Sequence, residues 1–184
     1  SLLISVLLSA QTPVYLTKAY KPVESEYYDA YSSHEIQGGD TWNNCFVLGV
    51  INNYCGRAVF NLGGKYETIS FIMGPDKGHG KCDPNIVQIH ADGKRIFEHV
   101  VRDSDLAEHF TLNISGVDKL EFSLFRPQCE VAFCEVALWT KGQTPHDLRG
   151  KHDPEVKSRM LFRDIVPYRI NYSSVYADGN SGRH

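Results

Sequence analysis

The sequence predicts an all-β protein built as a two-sheet sandwich. Three observations support this prediction. Apolar residues repeatedly alternate with polar ones, which is the period of a strand with one buried face. Turn-forming residues separate these runs at intervals of roughly ten residues, which is typical of a sandwich. No stretch between Val14 and Lys141 has a competing helical period.

The first predicted strands flank two recognisable turns. Residues 58–62 and 69–73 lie on either side of the tight turn Asn-Leu-Gly-Gly-Lys-Tyr. Residues 86–98 form a hairpin across Asp92-Gly93, because Asp-Gly is a favoured two-residue hairpin turn. Each run alternates apolar and polar residues, so each places one face against the core.

The later elements follow the same logic. Residues 110–114 and 120–124 are strands separated by a Ser-Gly-Val-Asp turn. Residues 131–139 are apolar on both faces, which predicts a central strand. Residues 103–109 are predicted to form one short helical turn. Beyond residue 141 the chain is charged and rich in proline, and we expect a tail over 142–184 with one short helix beginning near Asp-Pro-Glu at residues 153–155.

Composition excludes several classes of function. The chain has 184 residues and a net charge of −3, and its 19 basic residues are scattered. This is not the charge pattern of a nucleic-acid-binding protein or of a polybasic membrane-surface segment. The sequence contains no GxSxG, HExxH or P-loop motif.

The N-terminal residues favour export. Leu2 to Leu8 are apolar but too few to span a bilayer, and Ser9-Ala10 follow them. We interpret residues 1–10 as the remnant of a signal peptide, which predicts a periplasmic, cell-surface or extracellular protein. The alternative is an ordinary first strand.

The five cysteines leave their pairing open. They lack the spacing of a structural zinc site. In an exported protein, bonds such as Cys45 to Cys55 or Cys129 to Cys134 are compatible with the sequence, and an odd count leaves one thiol unpaired. The cysteines are equally compatible with small core residues.

Several of these motifs, in this order, resemble the NPCBM family of small sandwich modules associated with glycoside hydrolases. The resemblance runs from about Gly38 to Leu138. It rests on the Leu-Gly-Gly-Lys-Tyr turn at residues 62–66, the DGK hairpin tip, and Ile114-Ser-Gly-Val-Asp-Lys-Leu120. It also includes Glu-Val-Ala-Leu at residues 135–138 in the last strand. The resemblance implies a galactose-binding-like, jelly-roll sandwich over residues 11–141 and a carbohydrate partner.

Two segments depart from the family pattern. Gly-Val-Ile-Asn at residues 49–52 stands where a Gly-x-His segment is usual, and the loop at residues 74–85 is not the usual acidic loop. The fold of the family is therefore a safer inference for this chain than the ligand of the family.

Sugar recognition needs a flat apolar ring beside hydrogen-bonding groups. Trp42 lies in the segment Gly-Gly-Asp-Thr-Trp-Asn-Asn, which we interpret as a loop with Asn44 beside the ring. Tyr54 is a second aromatic candidate. Each has a structural alternative, since a tryptophan or tyrosine also plugs the end of a sandwich. The remaining predicted ligand-binding residues are polar and lie in loops or beside them: Asp76, His79, Asn85 and Arg126.

Calcium is a further expectation from the resemblance. Calcium frequently stabilises galactose-binding-like sandwiches, and it binds carboxylate and carbonyl oxygens. Asp40 and Glu135 are the acidic residues we predict for it. A buried Glu135 satisfied by backbone donors is the alternative.

The resemblance thus implies a non-catalytic carbohydrate-binding module of an exported protein, of a kind that can be associated with a glycoside hydrolase. The alternative is a protein-interaction or structural sandwich in a cell-surface or periplasmic assembly, with a protein partner bound through the C-terminal tail. Single sandwiches of this size bind more often than they catalyse, which makes a glycoside hydrolase the least favoured interpretation.

Overall fold

A computed structural model describes residues 12–36, 40–51, 54–77, 84–125 and 129–146. The chain divides into compact units of residues 1–149 and 150–184, and every described residue belongs to the first unit. The described elements, in chain order, are β1 (Val14–Tyr15), α1 (Leu16–Ala19), β2 (Glu24–Glu26), β3 (Tyr28–Ile36), β4 (Asp40–Leu48), β5 (Val50–Ile51), β6 (Tyr54–Cys55), β7 (Arg57–Asn61), β8 (Thr68–Pro75), β9 (Asn85–Ala91), β10 (Lys94–Val101), β11 (Glu108–Asn113), β12 (Lys119–Phe125) and β13 (Val131–Trp139).

Two antiparallel sheets confirm the predicted all-β sandwich. One sheet has the order β11-β8-β13-β4-β3, with β1 also paired to β13. The other has the order β10-β9-β12-β7-β2, and β5 and β6 form a separate small ribbon. The strand at residues 131–139 is central, as predicted, since β13 pairs with β8 on one side and with β4 and β1 on the other.

A cluster of phenylalanines joins the two sheets. Phe46 and Phe133 come from the six-stranded sheet, and their rings stack with centroids 4.8 Å apart. Phe122 from the opposite sheet meets both rings edge-on, at 5.2 and 5.3 Å. Edge-to-face pairs add about 0.5–1.5 kcal/mol to the free energy gained from burial alone. This packing fixes the two sheets face to face.

The Leu-Gly-Gly-Lys-Tyr turn connects β7 to β8 across the end of the sandwich. Leu62 N–H donates to the Asp118 carbonyl at 2.7 Å, and Gly64 N–H donates to the Val117 carbonyl at 3.0 Å. Gly63 and Gly64 both have a φ of +65°, which residues with a side chain rarely adopt. The motif is therefore a backbone requirement of the turn.

The β3–β4 hairpin bends and covers the outer face of the six-stranded sheet. β4 pairs with β13 only over Phe46–Leu48, but its pairing with β3 continues to Asp40. The tip then returns to β8, where Ile36 forms a β-bridge with Asp76. Close approach requires Gly74, because a Cβ there would lie 2.6 Å from the Ile36 Cγ2 atom. The bend lies at Asn44, whose φ is +52°.

A disulfide bond lies beside this bend. Cys45 of β4 bonds to Cys134 of β13, and Cys129 is also disulfide-bonded, whereas Cys55 is a free thiol. The suggested bonds Cys45 to Cys55 and Cys129 to Cys134 are therefore both wrong. The physical reason is that cross-strand neighbours are set by sheet register, which brings residues 89 positions apart into contact.

One further local expectation is corrected, and one element was not predicted. Residues 103–109 form no helix: a turn closed by Asp105 N–H to the Arg102 carbonyl leads directly into β11. The four-residue helix α1 was not predicted, and it buries Leu16. The predicted signal remnant at residues 1–10 and most of the predicted tail lie outside the described residues. Among the described residues, no helix is both long enough and apolar enough to cross a membrane.

Candidate functional site

A cleft of about 250 Å³ lies beside the bend in β4. It is lined by Thr17 and Lys18 of α1, by residues 30–32 of β3, and by Asn44 of β4. Three elements from different parts of the chain therefore form its walls. Two hydroxyls, an ammonium group and an aromatic ring are available at its rim.

Asn44 and Glu135 form a buried polar pair at this place. Asn44 is 4% exposed and Glu135 is fully buried. The Asn44 amide nitrogen donates to Glu135 Oε2 at 3.3 Å, and Asn43 N–H donates to Glu135 Oε1 at 3.1 Å. Asn44 Oδ1 is buried and has no hydrogen-bond partner within the described part of the chain. An unpaired buried acceptor of this kind costs about 1–3 kcal/mol, so a donor that reached it would be bound favourably.

Tyr15 places a third donor beside the carboxylate. Burial, together with the negative charge of Glu135 and a hydrogen bond to it, raises the pKa of Tyr15 above its ordinary value. The neutral hydroxyl therefore donates to the Glu135 carboxylate at physiological pH. The Lys18 ammonium lies 5.3 Å from the centre of the Tyr15 ring, within the range of a cation–π contact.

Tyr31 supplies an exposed ring at the rim of the cleft. It is 40% exposed, and its ring lies against His34 with centroids 4.6 Å apart. His34 in turn forms a hydrogen-bonded pair with Asp76. The Tyr31 ring thus packs against His34, which is itself fixed by Asp76, and the ring remains accessible to a ligand.

A second cleft of similar volume differs in character. It holds about 240 Å³ and lies at the Leu-Gly-Gly-Lys-Tyr turn, between residues 64–67, residues 115–116 and Lys141. Its aromatic residue, Tyr66, is buried and hydrogen-bonds the Tyr20 hydroxyl at 2.9 Å. This cleft therefore offers no exposed ring from the described residues, and the cleft at Asn44 is the better candidate.

The structure corrects the placement of three predicted ligand-binding residues. Trp42 lies within β4 and is only 2% exposed, so the expectation of an exposed loop tryptophan is wrong. Asp76 is buried, pairs with His34, and its N–H donates to the Glu130 carbonyl. Asn85 is also buried. These side chains serve the fold, because strands and backbone bridges extend through segments whose composition is typical of loops.

Asn85 shows this structural role most directly. Its amide nitrogen donates to the Cys129 carbonyl at 2.7 Å, and its amide oxygen accepts Cys129 N–H at 3.3 Å. The side chain therefore clamps the segment leading into β13. Tyr54 lies in β6, opposite Ile51, and Asp40 begins β4, opposite Ile36; their side chains lie outside the description, as do His79 and Arg126. Their predicted roles stay predictions.

The described residues around Glu135 do not fit a calcium cage. Calcium takes six to eight oxygen ligands. Here the carboxylate faces the N–H and O–H donors of Asn43, Asn44 and Tyr15, which hydrogen-bond the oxygens directly. No group of three or more histidine, cysteine, aspartate or glutamate residues suited to a metal occurs among the described residues.

Comparison with known proteins places this chain in a family. The profile of the NPCBM/NEW2 domain matches residues 5–139. The chain belongs to this family. A search of curated proteins finds no match to this chain. The NPCBM/NEW2 match covers every element from β1 to β13, so the cleft at Asn44 lies within the family domain.

Several solved structures with the same fold as this NPCBM/NEW2 domain contain carbohydrate-binding modules. One is CBM51 from the Clostridium perfringens GH95 protein, in complex with methyl-galactose, with a TM-score of 0.56 and 13% identity over 69% of this chain and 99% of that one. Another contains the tandem CBM51 modules of Sp3GH98 from Streptococcus pneumoniae, with a TM-score of 0.57 and 13% identity over 76% of this chain and 50% of that one.

A third structure joins such modules to a catalytic domain. It comprises the M60 catalytic domain of Clostridium perfringens ZmpB with two CBM51 domains, with a TM-score of 0.58 and 16% identity over 71% of this chain. The present chain spans only 15% of that structure. At these identities the comparisons show the fold, a sandwich of the carbohydrate-binding-module type.

Sequence reasoning found Asn44 and Glu135 but assigned them to different sites. It missed Thr17, Lys18 and Tyr31. A weak signal existed for Tyr31, since the segment Tyr-Asp-Ala-Tyr-Ser-Ser-His-Glu-Ile at residues 28–36 carries many polar residues for a strand. Such a segment suggests an edge strand with exposed side chains.

Proposed function

We propose that this chain is a non-catalytic carbohydrate-binding module of an exported protein, and that the sugar binds in the cleft at Asn44. The observation that carries the proposal is the combination of an exposed, supported Tyr31 ring with a buried, unpaired Asn44 oxygen in one cleft. The first suits the C–H face of a sugar, and the second suits a sugar hydroxyl.

The rest of the cleft fits the same ligand class. Thr17 and Ser32 carry hydroxyls that both donate and accept, and Lys18 carries a donor. A pocket with one ring and several short polar groups recognises a compact polyhydroxylated molecule. The cleft is small, so a terminal sugar is a better occupant than an extended polymer, and the affinity is expected to be modest.

Binding without catalysis is favoured by the lining of the cleft. Glycoside hydrolysis normally requires two carboxyl groups about 5–9.5 Å apart, facing the scissile bond. The described residues that line the cleft include no carboxylate. The neighbouring Glu135 is fully buried and is held by protein donors, so it does not face a substrate.

Export is supported by the Cys45–Cys134 bond. Disulfides persist in oxidising compartments such as the periplasm and the extracellular space. An exported module of this family, placed beside a glycoside hydrolase, would hold the catalytic domain near its substrate. This role for the whole protein is part of the proposal.

The test is sugar binding by the purified chain, residues 1–184. A glycan array is followed by calorimetry with methyl β-galactoside and N-acetylglucosamine, each in calcium and in chelator. We expect binding in both buffers, weakened about tenfold or more by Tyr31→Ala, which corresponds to 1.4 kcal/mol. Phe125→Ala is the matched control, since Phe125 is an exposed ring on the other sheet at 48% exposure.

Two outcomes would contradict the proposal. If the folded chain binds no glycan in either buffer, the protein-interaction sandwich becomes the better interpretation. If Tyr31→Ala and Phe125→Ala bind sugar as well as the original chain, the sugar lies elsewhere. Binding that requires calcium would support the metal role predicted for Asp40 and Glu135.

A further inference from the structure

The polarity of the Asn44 side chain is fixed by its surroundings. An asparagine amide has a donor end and an acceptor end, and either orientation is available in an open site. Here the nitrogen donates to Glu135 Oε2 at 3.3 Å. The flipped orientation would set Asn44 Oδ1 against the carboxylate, so two acceptors would face each other. The end that remains for a ligand is therefore the oxygen.

Glu135 is itself unable to turn away. It is fully buried, its Oε1 atom accepts Asn43 N–H at 3.1 Å, and the Tyr15 hydroxyl also bonds to it. The backbone supports this arrangement, because Asn44 adjoins Cys45 and Glu135 adjoins Cys134, and these two cysteines are bonded. The carboxylate thus acts as a fixed acceptor that orients the amide.

We infer that Asn44 determines specificity in the cleft by accepting a hydrogen bond from one free sugar hydroxyl, so that a sugar lacking a donor at that position is rejected. The inference rests on the proposed function and names the polarity that the ligand must have. Thr17 and Ser32 impose no such rule, since hydroxyls serve both donors and acceptors.

The inference requires side chains to move so that a ligand can reach the oxygen. Asn44 Oδ1 is covered in the free protein, while Tyr31 and Ser32 at the rim are exposed. Rotation of exposed side chains on binding is common, and it leaves the backbone unchanged. A donor that enters then satisfies an acceptor that has no partner among the described protein groups, whereas an acceptor or a methyl group does not satisfy it.

The decisive experiment changes the ligand and leaves the protein intact. The series consists of the monodeoxy and monodeoxyfluoro derivatives of methyl β-galactoside, or of N-acetylglucosamine if that is the sugar bound. Fluorine retains the size and weak acceptor character of a hydroxyl but cannot donate. At one ring position we expect both derivatives to bind about 10- to 100-fold more weakly, because a buried acceptor stays unpaired.

A variant then assigns that position to Asn44. Asn44→Gly keeps a residue that tolerates a φ of +52° and removes the amide. In this variant the parent sugar and its two derivatives at the sensitive position should bind alike. Asn61→Gly, at an exposed asparagine of β7 on the other sheet, is the matched control and should retain the discrimination.

The outcomes separate this inference from the proposed function. The inference is overturned if the fluoro derivatives bind as tightly as the parent sugar at every ring position. It is also overturned if Asn44→Gly discriminates between the parent sugar and its derivatives as the original chain does. Either result leaves the proposed function intact. Failure of the folded original chain to bind any sugar overturns both.

Discussion

Removal of the Cys45–Cys134 bond should lower the stability of the sandwich by a calculable amount. The bond joins residues 89 positions apart. A closed loop of that length restricts the unfolded chain enough to raise the free energy of unfolding by about 4.6 kcal/mol in the chain-entropy treatment. Residual structure in the unfolded chain reduces this value, so we expect a loss of about 2–4 kcal/mol in Cys45→Ala/Cys134→Ala.

The assay is urea unfolding followed by tryptophan fluorescence. The chain has two tryptophans, Trp42 and Trp139, and both are buried in the folded sandwich, so their emission reports its unfolding. The double variant is preferable to a reducing agent, because Cys129 is also disulfide-bonded and would be reduced as well. Cys55→Ala is the control, because it removes a free thiol that closes no loop in the chain.

A loss below about 1 kcal/mol would refute the reasoning, since it would mean that the bond hardly restricts the unfolded chain. The same variant has a second readout. Asn44 and Glu135 adjoin the two cysteines, so the variant should bind sugar more weakly even where it remains folded. Equal binding would show that register alone orients the amide.

Two further predictions concern the bend and the turn. Gly74→Ala should lower the free energy of unfolding by about 1–3 kcal/mol, because its Cβ would lie 2.6 Å from Ile36 Cγ2. The double variant Gly74→Ala/Ile36→Ala should lose less stability than the two single variants summed, since Ile36→Ala removes the clash. Strictly additive losses in urea unfolding would contradict the contact. Burial, followed by the hydrogen bond with Tyr20, raises the pKa of Tyr66 from 10.0 to about 12. As the pH rises, the Tyr66 hydroxyl loses its proton in the unfolded chain before it does so in the folded one. The free energy of unfolding therefore keeps its full value below pH 10 and falls as the pH rises to about 12. Tyr66→Phe should reduce this fall in the free energy of unfolding between pH 10 and about 12. An unchanged dependence on pH would argue against the raised pKa of Tyr66.

The sequence predicted the core strands because their information is local. Alternation in residues 58–62 and 69–73 fixes which side chains face inward, and two glycines with positive φ fix the turn between them. The hairpin across Asp92-Gly93 is predictable for the same reason. These elements need no knowledge of distant parts of the chain, and the structure confirms them.

The bent hairpin was not predictable in the same way. Glycine, aspartate and asparagine around Trp42 are typical of a loop, yet pairing with β3 and cover over β8 make the segment a buried strand. That pairing depends on register across the sheet, which no window of sequence contains. The disulfide partner and the walls of the cleft were missed for the same reason, since α1, β3 and β4 meet only in the folded chain.

The bend itself bears on function through its energetic cost. Asn44 and Glu135 both adopt positive φ without being glycine, with φ of +52° and +48°, and each such residue costs of order 1–3 kcal/mol. Asn44 also keeps a buried acceptor unpaired, and Glu135 buries a carboxylate. A sandwich shaped only for stability would place glycine or apolar residues there, as it does elsewhere in β13. The two residues are hydrogen-bonded to each other, and Asn44 lines the same cleft as the exposed Tyr31 ring. Backbone strain and unpaired buried polar groups cluster at functional sites. This supports the sugar site proposed in the cleft at Asn44 over the predicted loop at residues 74–85.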